Sequence, residues 1–136
     1  MRLKNKVAIV TGAGQRDGDG VGNGRATAIL FAREGARVLL VNRSMASMEG
    51  TRDLLRKDGV EADCMTGDVS KDDDCAAIMK NAVSMFGRVD ILHNNVGTVG
   101  PDGDTTKIDR QTWDDTLSVN LTGAMQISKH VLPVMR

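Results

Sequence analysis

The residues best suited to chemistry are the glycines of Val10-Thr-Gly-Ala-Gly14 and Gly22-Asn-Gly24. Main-chain amides set free where a strand turns into a helix can hold phosphate. Gly12 and Gly14 permit a tight turn, Gly22 lets the backbone approach a diphosphate, and Gly24 lets the next helix pack closely on the sheet. With Asn23 between the last two, the pattern is that of a dinucleotide-binding turn. A plain glycine-rich surface turn uses the same residues, so the rest of the chain must decide. Residues 15–21 read as an enlarged loop, and Asp17 and Asp19 within it lack the further ligands and closing glutamate of a calcium loop.

The elements that must position this turn follow from the apolar pattern. Val7 to Val10 is continuously apolar, as a strand covered on both faces must be, and that requires helices on each side of a parallel sheet. A helix from Asn23, with Ala26, Ile29, Leu30 and Arg33 along its inner face, ends at Gly35; Arg37 to Val41 is the second strand. Ser44 caps a helix to about Lys57 that turns Met45, Met48 and Leu54 or Leu55 inward. Residues 60–65, of mixed polarity, suit an edge strand.

Ser70 is placed to cap a third helix, with Cys75, Ile78, Met79, Ala82 and Phe86 as its inner face. Asp72, Asp73 and Asp74 fall in its first turn, where aligned amides favour negative charge, and this reading outweighs a metal site. Val89 to Asn95 is the fourth strand, carrying His93 as a packed or hydrogen-bonded side chain. After a loop at 98–108, Asp109 caps a last helix which, if it persists to Leu132, covers about 36 Å. The order predicts an α/β fold, a Rossmann-like doubly wound parallel sheet in one domain spanning 1–136. Its fourth strand lacks a next neighbour, so the domain is expected to be incomplete, truncated after that strand and the following helix.

Composition removes several classes of function. Lys plus Arg and Asp plus Glu number 18 each, a zero balance that recruits neither nucleic acid nor an anionic membrane. The basic start, residues 1–6, leads at once into a short strand and reads as neither signal nor membrane span. Cys64 and Cys75 lack metal-ligand spacing, and two histidines add no cluster; no metal is expected, and reduced thiols fit a cytoplasmic protein.

On these residues the chain resembles the N-terminal, cofactor-binding half of a short-chain dehydrogenase/reductase. The two glycine clusters resemble that family's cofactor motif, Gly67-Asp-Val69 its adenine contact, Asn94-Asn-Val-Gly97 its fourth-strand motif, and Trp113 with Val119-Asn-Leu-Thr-Gly123 its long interface helix. They stand in the family's order, with one departure: ten positions separate Gly12 from Gly22 where the family commonly has four.

The resemblance implies an NAD(P)-dependent oxidoreductase acting on a small-molecule alcohol or carbonyl. It implies that Asp68 bonds the adenine amine, that Val69 packs on the ring, and that Asn95, Val96 and Gly97 line the ribose near the nicotinamide. Asn120 matches the catalytic asparagine of a water relay. The chain contains no tyrosine, so the family's serine strand and tyrosine-to-lysine helix are expected after Arg136, and the 136 residues alone are expected to be inactive. The family also implies a homo-oligomer through the 109–132 helix, to which Leu117, Leu121, Met125 and Leu132 lend apolar surface.

The cofactor is NADP or NAD, with a slight preference for NADP. A carboxylate ending the second strand would repel a 2'-phosphate, whereas here Asn42 is followed by Arg43, and Arg16 on the loop can approach the same phosphate. A different class of answer fits the same glycines and Asp68: a non-catalytic dinucleotide-binding or assembly module.

Overall fold

The computed structural model describes residues 1–15, 20–100 and 106–135. Four strands, β1 (Val7–Thr11), β2 (Arg37–Asn42), β3 (Asp63–Thr66) and β4 (Ile91–His93), form one sheet in the order β3-β2-β1-β4. Every pairing is parallel, with Ile9 opposite both Leu39 and Leu92. Helices α1 (Asn23–Arg33), α2 (Met45–Lys57) and α3 (Asp72–Phe86) make the crossovers. This is the Rossmann-like doubly wound sheet expected from the strand and helix order. Chain direction across the sheet reverses beside β1, which puts a topological switch point at the carboxyl ends of β1 and β4.

Period-two alternation in the central strands divides the core between two faces. Ile9, Leu39 and Val41 join Cys75, Ile78 and Met79 of α3 on one side. Ala8, Val10, Val38 and Leu40 join Ala28 and Ala32 of α1 and Met48 and Leu55 of α2 on the other. Both faces are covered, which is why the strands carry apolar residues without interruption.

Several local expectations need correction. The buried face of α1 is Gly24, Ala28 and Ala32, and of the expected inner face only Ile29 packs against the core, while Ala26, Leu30 and Arg33 are exposed; large side chains would hold that helix too far from β1 and β2. In α2 the buried set is Met48, Thr51 and Leu55, with Met45 and Leu54 partly in solvent. Ser70 does not cap α3. Lys71 stands at the cap position, and the Ser70 hydroxyl donates to Asp68 instead. The inner face of α3, Cys75, Ile78, Met79, Ala82 and Phe86, is as the spacing predicts.

β4 is shorter than the apolar run and is set against β1 by Asp90. Its carboxylate accepts from Val7 N at 2.9 Å and pairs with Lys6 and Arg88. Arg88, foremost, holds that carboxyl down to about 2. His93 is a packed strand residue, edge-on to Phe31 at 6.3 Å.

The last helix is not uniform: α4 (Arg110–Leu117) passes through a π turn at Ser118–Thr122 into α5 (Gly123–Val131). Asp109 caps it, accepting from Thr112 N at 2.7 Å. Among the described residues no helix is long and apolar enough to cross a membrane, and no group of three or more His, Cys, Asp or Glu side chains is placed to hold a metal.

Candidate functional site

At the switch point lies a cleft of about 680 Å³. Its floor is the turn after β1. Gly12 adopts φ +65°, a conformation that favours glycine, and lets the chain leave the strand sharply. Gly24 stands so close to the Gly12 carbonyl that a Cβ there would collide with it, so glycine is what brings the start of α1 under the turn. Gly14 has another reason for lacking a side chain: a Cβ would run into Asn42 and Ser47. The turn is tied to α2 as well, since buried Thr51 donates to Ala13 O at 2.9 Å and accepts from Arg25 Nε at 3.0 Å.

The carboxyl end of β4 forms one wall. Thr11 Oγ1 donates to His93 O and accepts from Asn95 N at 3.0 Å, and Asn95 Nδ2 donates to Gly12 O. Asn94 reaches the opposite way, donating to Ser128 Oγ at 3.0 Å and to Ala124 O. The two adjacent asparagines therefore lock the strand exit to the first turn and to α5 at once. Val96 and Gly97 continue that wall.

The other wall comes from β2 and β3. Asn42 accepts from Arg43 N at 2.7 Å, and Arg43 is exposed at the rim. Ser44 caps α2 by accepting from Ser47 N. Asp68 accepts at Oδ1 from the hydroxyl and amide of Ser70. The Ser70 hydroxyl, then its amide, with Arg43 and Lys71 adding attraction, keep the Asp68 carboxyl below its ordinary range, so it is an ionised acceptor at neutral pH. Val69 is held from behind, its carbonyl accepting from buried Gln126 at 3.1 Å and its side chain filling the space that Gly123 leaves.

Every described residue the sequence singles out for the cofactor lines this one cleft: Gly12, Gly14, Gly22, Asn23 and Gly24 below, Asn42, Arg43, Asp68 and Val69 on one side, Asn95, Val96 and Gly97 on the other. Gln15, Val41, Ser44, Ser47, Gly67 and Val119 line it too without having been singled out as site residues. Gly67 and Val119 stand in the adenine-contact and interface-helix motifs, Gln15 opens the enlarged loop, and Ser44 reads as a helix cap. Asn120 lies outside the lining, in the π turn, where such turns often mark functional positions. Its Oδ1 accepts from Thr98 N at 2.7 Å and its Nδ2 donates to Thr98 O at 2.8 Å, so the whole carboxamide clamps the loop after β4. Arg16, Asp17 and Asp19 lie outside the described residues.

A parallel sheet with a glycine turn at its switch point defines a Rossmann-like α/β protein, and the comparisons narrow that class. A family model described as short chain dehydrogenase matches residues 6–136. The chain belongs to the short-chain dehydrogenase family.

An uncharacterized oxidoreductase of Thermotoga maritima is 36% identical over 136 residues, covering 100% of this chain and 51% of that protein. Among solved structures, a Burkholderia xenovorans protein described as a short-chain dehydrogenase/reductase superposes with a TM-score of 0.92 at 45% identity, over 98% of this chain and 52% of the other. A metagenomic short-chain oxidoreductase in complex with NADP gives 0.89 at 30% identity, over 99% and 58%. An NAD+-bound xylitol dehydrogenase gives 0.89 at 31% identity, over 99% and 50%. The chain spans about half the length of the curated relatives it matches.

Proposed function

We propose that these 136 residues are the cofactor-binding portion of an NAD(P)-dependent oxidoreductase of alcohols or carbonyls, and that the cleft holds the dinucleotide. The observation that carries this is the convergence of the glycine turn, Asp68 and the Asn95 wall on one cleft at the switch point. Its charge fits an anionic ligand. The first turn of α1 contains no acidic residue, and Asp68 is the one carboxylate among the described lining residues. Gly22 fits too, because a Cβ there would meet nothing among the described residues closer than 3.6 Å, leaving the missing side chain's space to a ligand.

In this reading the first amides of α1, which have no intrahelical acceptor, hold the diphosphate. The Asp68 carboxylate accepts from the adenine amine while Val69 packs against the ring. Asn42 and Arg43 meet the adenosine ribose, and Asn95, Val96 and Gly97 line the second ribose. The bound cofactor supplies or accepts the hydride; the protein's part is to fix its position. Asn120 is proposed as the catalytic position of this portion. Its side chain is engaged by Thr98, so a part in proton relay is played beside that clamp and through its effect on the loop. With no tyrosine in the sequence, turnover by this chain alone is not expected.

Both NAD and NADP appear bound to structural relatives, so preference must come from the rim. Asn42 carries no charge to repel a 2'-phosphate, and exposed Arg43 attracts it. An exposed pair of this kind is worth about 1 kcal/mol, a several-fold preference for NADP. Calorimetric titration of both cofactors into the chain and into Asn42→Asp tests this. NADP is expected to bind the unmodified chain several-fold tighter, with the substitution shifting preference to NAD. Binding of neither cofactor would refute the dinucleotide reading, and tighter NAD binding would refute the preference.

The missing tyrosine also favours a second reading, a binding or assembly module that never catalyses. Turnover across a panel of alcohols and carbonyls by the 136-residue chain would exclude it.

A further inference from the structure

The enlarged loop is closed by a side chain. Gln15 Nε2 donates to Gly20 O at 2.6 Å, and Gln15 Oε1 accepts from Gly22 N at 2.9 Å. The main-chain N of the same residue donates to Ser47 O at 3.1 Å, which fixes its base against α2. A carboxamide presents donor and acceptor side by side, as a peptide group does. Gln15 therefore acts as a length of main chain would, bonding to a carbonyl and an amide two residues apart and holding Gly20 and Gly22 beside the end of the first turn.

The bond to Gly22 has a second effect. Gly22 is the cap position of α1 and has no side chain with which to cap it. Its amide is one of the donors left without an intrahelical acceptor at a helix start. Gln15 satisfies that amide from the side and leaves those of Asn23 and Gly24, one step further in, to the cleft. Gln15, Gly22, Asn23 and Gly24 all line the cleft.

We propose that Gln15 is a positioning residue for the ligand's diphosphate: its side chain closes the long loop, so that Gly22 and the amides after it are presented as on a short turn. This rests on the dinucleotide reading above. The residue type is specific for the task. Glutamate can accept from Gly22 N but cannot donate to Gly20 O, and it would bring a negative charge to the phosphates; methionine keeps the length and makes neither bond.

The test compares the chain with Gln15→Met and Gln15→Glu, using NADP and ADP-ribose as diphosphate probes and adenosine as a probe without phosphate, with amide hydrogen exchange followed at residues 20–23. For Gln15→Met, NADP and ADP-ribose affinity should fall about fivefold, since the two lost bonds are solvent-facing, while adenosine affinity holds and Gly22 exchange accelerates. Gln15→Glu should keep Gly22 protected and lose more affinity for the phosphate-bearing probes. Unchanged ADP-ribose affinity in Gln15→Met, or an equal loss for adenosine, would overturn the positioning role. If the unmodified chain binds neither NADP nor ADP-ribose, the dinucleotide reading fails and the positioning role with it. Exchange then judges the closure alone, which unaltered Gly22 exchange in Gln15→Met would refute.

Discussion

Gly22 and Gly24 are two residues apart and lack side chains for opposite reasons, which gives them opposite signatures. A Cβ on Gly24 would collide with the Gly12 carbonyl, a main-chain atom that cannot move without opening the turn. Among the described residues a Cβ on Gly22 would make only ordinary contacts, 3.6 Å from Gln15 Oε1 and 3.8 Å from Gly14 O, at a φ of −64° that any residue adopts. Gly24→Ala is therefore expected to destabilise the chain by about 1–2 kcal/mol, after allowing for alanine's better helix propensity. Gly22→Ala should leave the thermal midpoint unchanged and weaken dinucleotide binding about tenfold. Thermal denaturation with calorimetric titration of both variants separates the two roles; an equal loss of stability in both would show that Gly22 also serves packing. The sequence assigned close packing to Gly24 and backbone approach to Gly22, but it did not reveal what Gly14 is for. Gly14 reads as a turn glycine, yet its need is space for Asn42 and Ser47, which come from elements about 30 residues further along the chain.

At the scale of elements, legibility followed the size of the buried side chains. The α3 face was readable because Ile78, Met79 and Phe86 are large and recur at helical spacing. The α1 face was misread except at Ile29, which packs on the core, because close approach to the sheet selects Gly24, Ala28 and Ala32, which carry little hydropathy signal, and turns Leu30 outward. The π turn at Ser118–Thr122 had no composition signal at all. It matters because it holds Asn120, whose two bonds to Thr98 fasten the loop after β4 to the last helix. Asn120→Leu keeps the volume and removes both bonds, so chemical denaturation should show a loss of about 1 kcal/mol with helix content retained. The Thr98 amide should lose protection from hydrogen exchange. Retained protection there would mean that backbone packing, and not the carboxamide, fixes the loop.

At the scale of the whole molecule, the last helix carries a run of exposed apolar side chains. Trp113, Leu117, Leu121, Met125 and Leu132 are all exposed, Leu121 by 64%, while Gly123, Gln126, Ile127 and Val131 face inward. The first four recur every four residues, a spacing that drifts about 40° per step around a regular α-helix. A π turn takes an extra residue and offsets that drift, so the interruption and the stripe belong together. We propose that this stripe is where two copies of the chain associate, since a symmetric pairing of the helix with its copy would cover it. One helix supplies less than the roughly 800 Å² per partner of a stable interface, so the expected self-association is weak and concentration-dependent. Trp113, the single tryptophan, reports it directly. Its emission should shift to the blue as concentration rises, in step with the weight-average mass from sedimentation. Leu121→Glu combined with Met125→Glu alters only exposed positions, so the fold should persist while both changes disappear. A chain that stays monomeric at high concentration, with Trp113 emission unchanged, would remove the last helix as an association surface.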